Sequence, residues 1–181
     1  LITFQGVKMK KFHSSQFVLV FVLALMSFYA CSKDSDSPVD PNNVTNSNAA
    51  LTLNGSGYSN KSITLGNGAC SYYPAENLTV VQFSGKVDSD SLFFVFQFIG
   101  NTAGTHHWRS SEPDGLIIKS GSSGFSYFYA DSTGSTTVNS YGAVNGKVDG
   151  TIAGKLIEAS SSSELNISNG SFSALRIPDT N

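Results

Sequence analysis

The chain has 181 residues, 40% of them hydrophobic and only 13% charged, with a formal net charge of −2. Lysines and arginines are scattered rather than gathered in a stripe, which excludes nucleic acid as a natural partner. Two cysteines exclude a disulfide framework, and three histidines leave little material for a metal centre.

Residues 1–8 precede the first methionine and are set aside as an upstream extension. From Met9 the pattern is that of an export signal. Lys10 and Lys11 give a positive start, and Phe17 to Ala30 is an apolar run of fourteen residues. That is long enough for a signal core and short of the roughly 20 residues that cross a bilayer. Ala30 is the small residue before Cys31. In this stretch the chain resembles bacterial lipoproteins, although Phe28 and Tyr29 stand where Leu and a small residue are usual. The resemblance implies cleavage of residues 9–30 and lipid attachment at Cys31, so that the membrane is a partner through the N-terminal lipid. Several acyl chains, each adding about 0.8 kcal/mol per buried methylene, make such an anchor firm.

Ser32-Lys33-Asp34-Ser35-Asp36 follows at once. It is similar to the export signal of surface lipoproteins in Bacteroidetes-type bacteria. This implies an outer-membrane lipoprotein on the cell surface, with a periplasm-facing position as the alternative. Residues 31–50 read as lipidated cysteine plus flexible linker, rich in Ser, Asp, Asn and Pro with no apolar period. From Cys31 onward there are eight Lys and Arg against thirteen Asp and Glu, a charge of −5.

Residues 51–181 have the size of one domain. No stretch sustains a helical period. β-Branched and aromatic runs alternate with Gly, Asn, Asp and Ser turns, so short strands are expected at 51–53, 62–65, 78–83, 92–99, 105–109, 116–119, 125–130, 136–141, 147–158 and 165–177. Leu92 to Ile99 is apolar on both alternating faces, as in a strand covered on both sides. Phe125, Tyr127 and Tyr129 share one face. Gly150 and Gly154 inside a strand imply a bulge or the close approach of another backbone, and Asn169-Gly170 is either a hairpin turn or a bulge. The expected fold is all-β, a single β-sandwich of jelly-roll type. Ser140 to Leu156 (SYGAVNGKVDGTIAGKL) and Leu165 to Ile177 (LNISNGSFSALRI) also resemble the end of uncharacterised β-rich lipoprotein domains from the same bacterial group. That resemblance implies fold and carries no activity.

Chemistry is sparse. Past the signal only His106 and His107 remain, and neighbours on a strand face opposite ways. They form no shared metal site unless the strand bends; Glu112 and Asp114 with one histidine could make a weak site, the alternative being a loop with polar tips, and no metal and no cofactor are expected. No serine sits in a G-x-S-x-G elbow, and no glycine loop cradles phosphate. Cys70 lies beside Ser71-Tyr72-Tyr73 and is either buried or available for an intermolecular bridge. The chain is expected not to be an enzyme. Tyr72, Tyr73, His106, His107 and Trp108 lie near turns, where β-proteins place recognition loops. These five are the candidate ligand-binding residues for a carbohydrate or an envelope protein, the alternative being that the aromatics cap the core. A structural or assembly role in the envelope is the second reading, and a small secreted hydrolase the third.

Overall fold

The computed structural model describes residues 47–109, 114–122 and 124–179. The chain divides into two compact units, Leu1–Pro38 and Val39–Asn181, and the described residues belong to the second. The signal segment, Cys31 and the linker up to residue 46 lie outside the described residues, as does Glu112.

Ten strands and no helix are found among the described residues. They are β1 (Asn48–Gly55), β2 (Tyr58–Tyr73), β3 (Leu78–Val87), β4 (Asp90–Ile99), β5 (Gly104–His107), β6 (Gly115–Gly121), β7 (Gly124–Ala130), β8 (Ser135–Tyr141), β9 (Lys147–Glu158) and β10 (Glu164–Arg176). Leu92, Phe94, Phe96 and Phe98 of β4 point inward and are buried; on the other face Val95 and Gln97 are buried too but Ile99 is 48% exposed, so the cover expected on both sides is only partial.

The expected sandwich is corrected. One sheet runs β2–β3–β4–β6–β7–β9–β10, and β1 then bonds to both β10 and β2, so the sheet closes into an eight-stranded antiparallel barrel. A sandwich keeps two sheets with free edges, whereas closure here joins the first and last strands of the ring and leaves the stretch between β4 and β5 unbonded. The ten segments reduce to eight because two wall strands are each broken in the middle. β5 and β6 run one after the other along the β8–β7 line. β7 bonds to Leu156–Glu158 of β9 and β8 to the stretch from Val148 to Ala153. One break lies between the end of β5 and the start of β6, the other between β7 and β8, and there the Trp108 amide donates to the Gly134 carbonyl at 2.9 Å and carries the pairing across.

Aromatic side chains fill the barrel. Phe83, Phe94, Phe96, Phe98 and Phe128 are each at most 2% exposed. Phe96 and Phe172 meet edge to face at 4.8 Å between centroids, and Phe94 lies 5.4 Å from Phe96. An eight-stranded ring is just wide enough for its side chains to fill it. Each buried ring contributes roughly 1.5–3 kcal/mol. Gly150 makes room for one of them: a Cβ there would lie 2.6 Å from the Phe172 ring. The choice left open at Asn169-Gly170 is settled as a bulge within β10, with Asn169 at φ 49° and the register to β9 shifting between Ile167 and Gly170.

Candidate functional site

The broken wall strand creates the site. β4 bonds to β6 only from Ser91 to Phe96. Beyond Phe96, its last link on that side is the Gln97 amide donating to the Asp114 carbonyl at 3.2 Å. Further up, β5 occupies the neighbouring place without bonding to β4, and its one ladder partner is β8. The seam between β4 and β5 is a cleft of about 190 Å³ lined by Gln97, Phe98, Ile99, His106, His107, Arg109 and Asp114. Ordinary small-molecule sites run to roughly 300–1,000 Å³, so this one takes a single ring or a small side chain.

His106 and His107 straddle the edge of β5. His106 turns inward and stacks on Phe98, 4.4 Å between ring centroids and 28° between planes. Its Nε2 is buried without a hydrogen-bond partner. Burial holds its pKa below the ordinary histidine range, against a hydrogen bond to the Thr102 backbone that works the other way. His107 is exposed on the outer side. The inward and outward alternation anticipated from the strand holds, and the cleft opens between the two rings.

Asp114 forms the floor. Its side chain is 3% exposed, against 43% for Arg109. Asp114 Oδ2 accepts from the Arg109 amide at 2.6 Å and from Nε at 2.9 Å, while Oδ1 accepts from the guanidinium at 2.7 Å. This two-pronged, charge-assisted pairing commits the carboxylate to holding Arg109 and the end of β5 in place. Gln97, 7% exposed, supplies an amide able to both donate and accept.

The other candidate residues are placed elsewhere. Trp108 is 3% exposed, and its Nε1 donates to Thr136 Oγ1 at 3.1 Å. Gly134 and Gly154 lie flat against its indole, which fills the break in the wall and anchors the end of β5. Tyr72 and Tyr73 end β2, and neither lines the cleft. Tyr72 Oη donates to Asn77 Oδ1 at 2.9 Å, across the turn into β3. Tyr73 stands in the outer row Tyr73–Leu78–Ile99, two strands from the cleft wall. Gln97, Phe98, Ile99 and Arg109 are not singled out by the sequence, and Asp114 is raised by it only as a ligand of a weak metal site with Glu112 and a histidine. The signal available was the nearness of Asp114 to the histidines and the five-residue spacing from Arg109, which says nothing about the strand across the seam.

The same end of the barrel carries a second polar cluster on its inner side. Thr79 Oγ1 donates to the Gly100 carbonyl at 2.5 Å and lies 3.0 Å from Tyr141 Oη. The Arg176 guanidinium sits 5.1 Å over the Tyr141 ring. Cys70 is fully buried beside them, and burial pushes its thiol up to about 12, as it does the Tyr141 phenol. A thiol held protonated in this way is a poor nucleophile.

No family model, curated protein or solved structure matches the chain. Among the described residues no group of three or more His, Cys, Asp or Glu is placed to hold a metal ion. None of them forms a helix long and apolar enough to cross a membrane.

Proposed function

We propose that the chain is a lipid-anchored envelope protein, displayed on the cell surface, whose barrel binds a ligand without transforming it. The observation that carries the binding half is the seam cleft, where one wall strand parts from its neighbour and leaves an amide, two imidazoles and an apolar wall around a ring-sized space. Its carboxylate is engaged with Arg109 at three short contacts, an arrangement suited to fixing geometry rather than to moving protons. The chemistry favours a sugar residue, which offers hydroxyls to Gln97 and His107 and an apolar face to Phe98 and Ile99. The anchoring half rests on the Met9 to Cys31 pattern. A glycan and envelope-protein binding screen of the full chain tests the reading. Binding of a sugar that is lost in His107→Ala and Gln97→Ala, with the thermal midpoint unchanged, supports it; absence of any sugar ligand overturns it.

One observation favours assembly in the envelope as a second reading. β5 ends the pairing order with the edge that faces β4 across the seam left unbonded, and such an edge accepts a strand from a partner. Four residues are a short template, however, and short edges are how proteins discourage such pairing.

A further inference from the structure

We infer that the outer face of β7 is a platform for an extended, uncharged glycan chain whose terminal residue occupies the seam cleft. The inference rests on the cleft reading above and extends it from one sugar residue to a chain.

Phe125, Tyr127 and Tyr129 project outward from β7 and are 69%, 41% and 43% exposed. In a closed barrel the outward positions of a wall strand belong to polar residues, so three large exposed rings in succession need a reason. Alternate residues on a strand are spaced by about 7 Å, which sets the rings out as a ladder. The register shows where the ladder leads. Ser120 is opposite Phe125; Phe93 and Ile118 stand in one row with Tyr127; Val95 and Leu116 stand in one row with Tyr129. The next row upward is Gln97 and Asp114, the floor of the cleft. These rows line the ring ladder up with the seam; Val95 and Leu116, between Tyr129 and the cleft, are apolar and buried, so a bound chain would pass over them to reach it.

Charge and area choose the occupant. The rows of the three rings carry no charged side chain, and the charges above them are paired: Arg109 with Asp114 at 2.7 Å, and Lys155 Nζ with Glu164 at 2.9 Å and Asp131 at 3.4 Å. An anionic membrane or polyanion meets, among the described residues here, only cations already engaged with carboxylates. The exposed aromatic area is on the order of 300 Å², taking about 200 Å² per side chain. A stable protein interface needs about 800 Å² per partner, so a second copy is poorly served. A sugar chain is a thin ligand with alternating apolar faces and hydroxyls; it gains from stacked rings and from the Tyr hydroxyls beside them without needing a wide footprint.

The test is calorimetric titration of the full chain with neutral gluco-, manno- and xylo-oligosaccharides of increasing length, from the single sugar upward. Affinity is expected to rise at least tenfold with length. The Tyr127→Ala/Tyr129→Ala variant should lose that gain while binding the single sugar as before. Tyr127→Phe/Tyr129→Phe, which keeps the rings, should retain most of it. Equal affinity for short and long chains, or a length gain that survives the alanine pair, overturns the platform and leaves the cleft reading standing. Failure of the native chain to bind even the single sugar removes the cleft reading, and the inference with it. Capture by phosphatidylcholine vesicles that is lost in the alanine pair, without length-dependent sugar binding, assigns the rings to a lipid surface and overturns the inference.

Discussion

Gly134→Ala adds one methyl group at the break between β7 and β8, and its consequence follows from the geometry. An added Cβ would fall within the Trp108 indole, 1.9 Å from the nearest ring atom, and Gly154 lies beside Gly134 against the same edge of that ring. Overpacking of a locked core site costs about 1–3 kcal/mol, and the depth of the overlap with a ring that is 3% exposed places this case near the upper end. Gly134 is not among the residues with positive φ, so alanine returns roughly 0.4–1 kcal/mol by restricting the unfolded chain. The net loss is about 2 kcal/mol, or a fall in thermal midpoint of roughly 6–10 °C for a domain of this size. Gly66→Ala is the control, since nothing lies within 4 Å of its added Cβ, and it should be neutral or slightly stabilising. Thermal and urea unfolding followed by circular dichroism measure both. Adding Trp108→Leu to Gly134→Ala should recover part of the loss beyond additivity, because the smaller side chain vacates the collision. If Gly134→Ala unfolds within error of Gly66→Ala, Trp108 is not clamped and the account of how β5 is held at the seam is wrong.

Four further outcomes are expected. Asp114→Ala removes three short contacts to Arg109; a loss of about 2 kcal/mol in urea unfolding is expected, with sugar binding in the cleft weakened as the end of β5 loosens. Cys70 and Tyr141 keep their protons in the fold well above the pH at which the unfolded chain releases them. Stability should therefore be complete below about pH 8.5 and decline as pH rises toward 12, and a thiol reagent at pH 8 should label Cys70 only after denaturant is added. His106, with its pKa lowered by burial, favours the neutral form in the fold. Its contribution is present above pH 6.5 or so and is lost as pH falls, and proton NMR should show its ring titrating below that value. Intact-mass analysis of the membrane fraction should find a chain starting at an acylated Cys31; an unmodified cysteine there, or a chain retaining residues 9–30, removes the anchor from the proposal.

Much of the local structure was legible. β9 occupies Lys147–Glu158, the span anticipated from the sequence, and Leu92 to Ile99 lies within β4, because a period of two in apolar residues is a local property of the chain. β2 was underestimated: the stretch from Gly66 to Tyr73 continues the strand, where Gly66, Asn67 and Gly68 suggested an end. Asn67 takes a positive φ and the register to β3 shifts there, so those residues are a bulge inside a long strand. His106 and His107 could be picked out as the last histidines of the chain. Gln97, which faces them across the seam, could not, because nothing near it in sequence hints at a strand that stops bonding to its neighbour.

By itself, the sequence determined that this is an all-strand body and where nearly all of its strands lie, since alternation, turn residues and the absence of a helical period are written along the chain. Only the tertiary structure decided between sandwich and barrel. Both bury the same inward residues, and the difference lies in whether β1 bonds to β10, more than a hundred residues away. The cleft depends on that decision too: it exists because two wall strands break part-way up a closed ring, and a break becomes an opening only when the strands on either side of it are held by the rest of the ring.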